Sequence, residues 1–321
     1  MQTSGDLTRT HYDRFTTKWT RRFGRICSDP RWARYYFQLK VCDPSTRRFI
    51  ASTISAFLPK KVGEHRGNME TLQLVRNLRD NGSVRLDGLL TRDQTSAMQA
   101  YFGGRECYDP FRPEMKGFKD PDTAHRSCIH AYFPAADVAA APHLIELANH
   151  PLVLGVVEEH FGVKPVIGKI AAWWLLHGFD ADANSHEVYV RRPEEFHRDL
   201  DDFAELKLFV YLTDVDTEAG PHALIRTSHK WRLPWGTRTL QLADPAFPSR
   251  ENLQLITGRA GMAWLENTLT LHRGMIPTRT HRLMLSVTYT LLPIAIGPKQ
   301  PLLRGDRRNF DSYINRVLIA E

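Results

Sequence analysis

The stretch Leu206-Lys-Leu-Phe-Val-Tyr-Leu212 has the composition of a short β-strand, and it belongs to a series of such runs that follows Gly162. The other runs are Ile170–Leu176, Ala223–Arg226, Met262–Leu265 and Arg282–Leu292. Turn formers such as Gly220-Pro221 separate them. Many short strands with such punctuation are typical of a sandwich or barrel rather than of a parallel α/β sheet. We therefore predict a mainly β domain.

Helical patterns precede this β-rich half. Residues 12–57 have an irregular helical pattern in which aromatic side chains alternate with arginines. Thr91 is placed as the N-cap of a helix that runs to Tyr101, and two further helices fit Pro142–Asn149 and Pro151–Phe161. The order predicts three parts: a basic helical extension over residues 1–75, a β domain with flanking helices over 76–295, and a tail with a short helix over 296–321.

Positive charge is concentrated at the start of the chain. The 321 residues carry a net charge of +7, and residues 1–80 hold 16 Lys and Arg against 7 Asp and Glu. Such an excess could attract nucleic acid or another anion, but no nucleic-acid-binding motif accompanies it, so a solvated helical face is the favoured interpretation. No apolar run approaches the ~20 residues of a membrane helix, and we expect a cytoplasmic protein without a membrane partner.

The triplet His197-Arg198-Asp199 offers two metal ligands. In an extended backbone His197 and Asp199 lie on the same face. His272, which follows the strand Met262–Leu265, is the predicted third ligand. Two imidazoles and one carboxylate on one face of an octahedron leave three positions open, which suits non-haem iron(II) with a chelating 2-oxo acid and dioxygen. A structural zinc site would instead be closed.

A cation is needed for the far carboxylate of such a co-substrate. Arg282, ten residues after His272, can supply a bidentate guanidinium. Ser286 shares its strand face and is a second predicted contact of that carboxylate, and Lys207 is predicted to face the same cavity.

The ordered set of motifs resembles the phytanoyl-CoA dioxygenase family of Fe(II)- and 2-oxoglutarate-dependent oxygenases. The motifs that carry the resemblance are Phe196-His-Arg-Asp-Leu-Asp-Asp, Leu208-Phe-Val-Tyr-Leu-Thr-Asp-Val-Asp, Gly220-Pro, Arg226-Thr-Ser-His-Lys, and Leu271-His-Arg-Gly with Arg282. The likeness extends from about Leu78 to Leu292. It implies a double-stranded β-helix, the cupin-like jelly roll, with His197, Asp199 and His272 as iron ligands.

The function implied by this resemblance is hydroxylation of an unactivated C–H bond, with 2-oxoglutarate converted to succinate and carbon dioxide. We expect a small-molecule substrate, anionic or glycan-like, and Trp174, Arg191 and Arg192 are the candidate substrate contacts. The alternative is a cupin-like protein that binds a metal or sugar, or an isomerase, without oxygen chemistry. Arg282 separates the two readings, because only the oxygenase needs an anchor for a 2-oxo acid.

Three other histidines are rival ligands. His281 is expected to point away from the face of Arg282, His229 is expected to make a structural hydrogen bond, and His222 is expected to lie in a loop.

Overall fold

A computed structural model describes residues 20–60, 68–110, 112, 115–178, 195–234, 236–241, 243–244, 247, 250–297, 301–304 and 310–320. Residues 20–28 are helical. The helices that follow are α1 (Arg31–Lys40), α2 (Pro44–Ser55), α3 (Met69–Asn81), α4 (Arg92–Gly103), α5 (Ala135–Ala139), α6 (Leu144–Ala148), α7 (Pro151–Phe161) and α8 (Ser312–Asn315). Short 3-10 turns occur at Pro121–Thr123, Ser228–Lys230 and Arg250–Asn252.

The strands form two main antiparallel sheets. Their bounds are β1 (Ser83–Leu86), β2 (His130–Tyr132), β3 (Val166–Leu175), β4 (Glu195–His197), β5 (Glu205–Tyr211), β6 (His222–Ile225), β7 (Thr239–Gln241), β8 (Leu253–Ile256), β9 (Ala263–Asn267), β10 (His272–Gly274) and β11 (Arg282–Thr290). The larger sheet has the order β1-β9-β5-β11-β3-β2, and the smaller has the order β7-β4-β10-β6-β8. β12 (Leu303–Arg304) and β13 (Ile319–Ala320) form a separate parallel pair.

This topology is a double-stranded β-helix with flanking helices, so the predicted fold class is confirmed. The strands from β3 to β6 and from β8 to β11 alternate between the sheets: β4 lies in the smaller sheet, β5 in the larger and β6 again in the smaller. The alternation leaves a space between the two sheets, into which every second side chain points. The three-part domain division stays a prediction.

Side chains of alternate strand positions fill different layers. On β11, Leu283, Leu285 and Val287 pack in the large core between the larger sheet and the helices. Met284 lies on the other face, in an inter-sheet cluster with Trp264. The parity of the strand therefore decides which residues can reach a site between the sheets.

The start of the β domain is fixed by local sequence. Thr91 forms a capping box with Gln94 at the start of α4, as the N-cap prediction required. Gly82 ends α3 with a positive φ of 89° and its N–H donates to the Leu78 carbonyl, a geometry that favours glycine. The chain then enters β1, which pairs with β9.

The helices of the basic extension contact the β domain through buried polar groups. The Arg47 guanidinium of α2 donates to the backbone carbonyl of Asp202, and the Gln38 amide of α1 donates to the Asp202 carboxylate at 3.2 Å. Arg198 is fully buried and donates to the Cys42 carbonyl at 3.0 Å. No helix in the described ranges has the length and apolar character that a membrane crossing requires.

Candidate active site

His197, Asp199 and His272 converge between the sheets, and together they are called the buried cluster. His197 ends β4, His272 begins β10, and the two are cross-strand partners. Asp199 Oδ1 lies 3.8 Å from His197 Nε2, and Asp199 Oδ2 lies 3.5 Å from His272 Nε2. Adjacent ligands of one octahedral ion with bonds of ~2.1 Å lie about 3 Å apart, so a slight contraction would bring these atoms around a metal.

The His272 ring is held by hydrogen bonding on the side away from Asp199. Its Nδ1 lies 2.8 Å from the Thr270 carbonyl oxygen. A carbonyl oxygen only accepts, so Nδ1 carries the proton and the neutral ring directs the Nε2 lone pair into the cluster. Burial lowers the pKa of His272, but the charge of Glu266 and the hydrogen bond and charge of Asp199 outweigh it, so the pKa is raised.

Glu266 is a buried carboxylate behind the cluster that sequence reasoning missed. Its Oε1 lies 3.2 Å from His272 Nδ1, and its Oε2 lies 2.9 Å from His222 Nε2. The Trp264 indole N–H donates to Oε2 at 3.2 Å. Burial raises the pKa of Glu266. The charges of His222 and His272 and the hydrogen bonds to Glu266 outweigh this effect, so the pKa lies below its usual value. An acid two residues after Trp264 in an apolar strand was the available signal.

The loop assignment of His222 was wrong. His222 begins β6 and is buried. Its backbone N–H donates to the Tyr211 hydroxyl, and the centre of its ring lies 5.4 Å from that of the His272 ring. Burial lowers its pKa, and the Glu266 charge offsets this only in part. By contrast His229, as expected, makes a structural contact, with Nε2 2.9 Å from the Arg79 carbonyl.

Lys207 is buried and contacts two carboxylates. Its Nζ lies 2.6 Å from Asp199 Oδ2 and 3.2 Å from Glu205 Oε1. Burial raises the pKa of Asp199, but the Lys207 charge, together with His272 and His197, holds it well below its usual range. Lys207 therefore keeps Asp199 ionised and fixes one of its oxygens. Its predicted contact with a co-substrate stays a prediction.

Arg282 begins β11 and is almost completely buried. Its guanidinium donates to the Gly220 carbonyl and lies 5.7 Å from the centre of the Tyr211 ring. Its Nε has no hydrogen-bond partner, and no carboxylate in the described part of the chain forms an ion pair with it. Burial lowers the pKa of Arg282, an effect that Tyr211 only partly offsets. A buried cation without a counter-charge is costly, so this position suits an anionic ligand.

Gly220 makes this arrangement possible. It has a positive φ of 66°, and a Cβ at this position would collide with the Met275 carbonyl and the Pro277 ring. Only glycine therefore fits the turn that presents the Gly220 carbonyl to Arg282.

The remaining residues predicted to contact the co-substrate or the substrate lie in different parts of the molecule. Ser286 shares the strand face of Arg282, but four residues of extended chain place the two Cα atoms about 13 Å apart, and its carboxylate contact stays a prediction. Trp174 packs against the helix-covered core, whereas Trp173 lies by the inter-sheet cluster. This placement argues against Trp174 as a substrate contact. Arg191 and Arg192 lie outside the described residues.

A second group of two histidines and an aspartate, Asp122, His177 and His281, also has ligand atoms within 4.8 Å of one another and is called the surface cluster. The His281 Nε2 lies 3.0 Å from Asp122 Oδ1, and the His177 and His281 rings stack at 4.1 Å. The His177 backbone N–H donates to His281 Nδ1 at 3.1 Å. His281 thus points away from the face of Arg282, as the strand parity predicted.

No protein-family model and no curated protein matches the chain. Solved structures similar to it include the non-haem α-ketoglutarate-dependent epimerase SnoN from nogalamycin biosynthesis, with 18% identity over 68% of this chain and 80% of that one and a TM-score of 0.48. HygX from Streptomyces hygroscopicus, with nickel, 2-oxoglutarate and hygromycin B bound, has 18% identity over 73% and 88% and a TM-score of 0.44. EctD from S. alaskensis has 16% identity over 72% and 80% and a TM-score of 0.46. These likenesses are distant.

Proposed function

We propose that the chain is an Fe(II)- and 2-oxoglutarate-dependent oxygenase of the phytanoyl-CoA dioxygenase-like type. One observation carries this proposal: a cluster of two histidines and one carboxylate lies beside His222, and so does a buried arginine to which no described carboxylate supplies a counter-charge. The donor set suits iron(II) with three open positions. The Arg282 guanidinium suits the far carboxylate of 2-oxoglutarate. A metal-binding jelly roll without oxygen chemistry would gain nothing from that buried charge.

When bound, iron and 2-oxoglutarate supply the oxidising power, and succinate and carbon dioxide are released. The chain supplies position and surroundings. His197 and His272 present ring nitrogens from paired strands, and Asp199 presents a carboxylate that Lys207 keeps ionised. Glu266 fixes the His272 ring from behind. The aromatic inter-sheet cluster around Phe209 and Trp264 keeps water from the space between the metal and Arg282.

Within this proposal we assign hydroxylation of an unactivated C–H bond as the outcome. Related halogenases leave the carboxylate position open for a halide. In this chain Asp199 fills it, and its contact with Lys207 holds it ionised. We propose that the substrate is a small molecule.

The first test is anaerobic titration of the iron(II) protein with 2-oxoglutarate, followed by the weak visible charge-transfer band of the chelate. We expect a band in wild type and none in His197→Ala. Arg282→Ala should need at least about 30-fold more 2-oxoglutarate, since loss of one partner of a buried charge pair costs ~2–5 kcal/mol. Arg279→Ala is the matched control, because Arg279 is exposed on the preceding loop.

The control should titrate as wild type does. If folded, iron-loaded wild type gives no band, the oxygenase proposal fails and the metal- or sugar-binding jelly roll replaces it. If Arg279→Ala weakens the band as much as Arg282→Ala does, Arg282 is not the anchor.

A further inference from the structure

A cavity of about 700 Å³ adjoins the buried cluster. Asp199, one of the three proposed ligands, lies in its wall together with Thr268 of the loop between β9 and β10, so the cavity borders the proposed iron site. Its volume is within the range of roughly 300–1,000 Å³ that is usual for small-molecule sites. This cavity is therefore large enough for a small-molecule substrate beside Asp199.

Helix α2 of the basic extension forms one wall of this cavity. Seven lining residues lie in or directly after α2: Pro44, Arg47, Arg48, Ala51, Ser52, Ser55 and Ala56. The helix is anchored by Arg47, which is buried and donates to the carbonyls of Gln38 at 3.1 Å, Val41 at 2.7 Å and Asp202. Because Asp202 lies three residues after Asp199, the same contact ties α2 to the loop that carries a proposed ligand.

Charge is unequally distributed along the cavity. Within the described residues the acids that line it are Asp199, Asp202 and Glu205, and their low exposure marks the inner end of the cavity. Lys207 pairs with Asp199 and Glu205, and the Asp202 carboxylate accepts from the Leu292 N–H at 2.9 Å. The inner acids are therefore already engaged.

The exposed lining residues mark the outer end of the cavity, and they include the cations Arg48, Lys60, Arg79 and Lys230. Arg79 and Lys60 donate to backbone carbonyls at helix ends, those of Glu159 and Ser55. Among the described carboxylates, Asp80 alone pairs with Lys230, in an exposed contact at 3.6 Å. Arg48 is exposed on α2, and none of the described carboxylates lies within ion-pair distance of it. Arg48 and Lys230 thus have charge to offer a ligand.

We propose that this cavity binds a small-molecule substrate with an oxyanion group, which Arg48 and Lys230 hold at the outer end while the carbon to be oxidised lies at the iron. The inference rests on the proposed function, because that function places iron at Asp199. Concave, low-dielectric walls strengthen the field of cations that would be weak on an open surface. Part of the positive charge of the extension then serves substrate recognition.

The test measures binding of phenyl phosphate to the anaerobic protein loaded with iron(II) and 2-oxoglutarate, by titration calorimetry. Phenyl sulfate and benzoate carry a single charge and identify which oxyanion is preferred, and benzyl alcohol is the neutral comparison. The variants are Arg48→Glu and Lys230→Glu. The matched control is Arg85→Glu, because Arg85 is an exposed arginine outside the cavity. The charge-transfer band is recorded for each protein to show that the metal site is intact.

We expect wild type and Arg85→Glu to bind phenyl phosphate equally, benzyl alcohol not to bind, and each cavity variant to bind at least tenfold more weakly with its band unchanged. Raising the salt concentration should weaken binding to wild type. No binding to wild type, or equal binding by all variants, in protein that shows the band overturns the oxyanion site and leaves the oxygenase proposal standing. Absence of the band in iron-loaded wild type overturns the oxygenase proposal, and the substrate assignment falls with it.

Discussion

The buried cluster and the surface cluster contain the same residue types, two histidines and one aspartate, yet they differ in what surrounds them. The Asp199 side chain is 18% exposed and is paired with Lys207, whereas the Asp122 side chain is 77% exposed. The two buried histidines come from paired strands. The residues of the surface cluster come from the exposed Pro121–Thr123 turn, from the segment directly after β3 and from the residue directly before β11. The exposed Asp122 carboxylate can remain hydrated, whereas the buried Asp199 carboxylate needs a cation as its partner. Burial is therefore the property that distinguishes the two clusters.

The two clusters also differ in which ring nitrogen of a neutral histidine carries the proton. His272 Nδ1 faces a carbonyl and Glu266, so the neutral ring has its lone pair on Nε2, toward Asp199. His281 Nδ1 accepts the His177 N–H, so the neutral ring carries its proton on Nε2, toward Asp122. A metal binds a lone pair and not an N–H. Equal ligand geometry therefore does not make an equal metal site, because the outer hydrogen bonds decide which nitrogen is available.

The largest expected contrast is in iron(II) affinity. His272→Ala should weaken binding by more than about 100-fold, beyond the range typical of outer-shell changes, because a direct ligand is lost. His281→Ala should change it by less than about threefold, since we assign the tight site to the buried cluster. Anaerobic competition with a chelator measures both. A large loss in His281→Ala with normal binding in His272→Ala would reverse the assignment of the clusters.

A smaller effect is expected from Glu266, the carboxylate that lies behind the buried cluster. Glu266→Gln keeps the size of the side chain but removes the charge beside His272 Nδ1, and should lower iron(II) affinity about 10- to 100-fold. Asp122→Asn is the matched change at the surface cluster and should have no measurable effect on tight binding. The same chelator competition applies, with circular dichroism to confirm folding. Unchanged affinity in Glu266→Gln would remove Glu266 from the metal site.

The smallest effect is a pH dependence of metal binding. Iron(II) binds the unprotonated Nε2 of His272 and competes with a proton for it, and the raised pKa of His272 extends this competition to higher pH than in a free imidazole. Affinity should rise by up to about tenfold per pH unit until the pH passes that raised pKa. In Glu266→Gln the pKa should fall, and the dependence should move to lower pH. Calorimetry in two buffers of different ionisation enthalpy counts the released proton; no proton release would contradict the raised pKa.

Much of the fold was predictable because periodicity is a local property. The strand run Arg282–Leu292 is observed as β11 (Arg282–Thr290), and α7 has the predicted bounds Pro151–Phe161. The three-residue strands β4 and β10 were not recognised as strands. They are too short to show an alternating pattern, and pairing with neighbours, such as that of His272 with His197, defines them.

The amino-acid sequence by itself predicted a mainly β sandwich or barrel, because strand patterns are written along the chain. The resemblance carried by the order of its motifs implied the jelly roll and the residues of the buried cluster. Tertiary structure alone decided that Glu266 lies behind His272, that Trp174 packs under the helices, and that α2 walls a cavity reaching Asp199. It also separated the two clusters of identical composition. These facts depend on contacts between residues far apart in the chain, where burial, lone-pair direction and charge pairing are set by partners that local patterns do not identify.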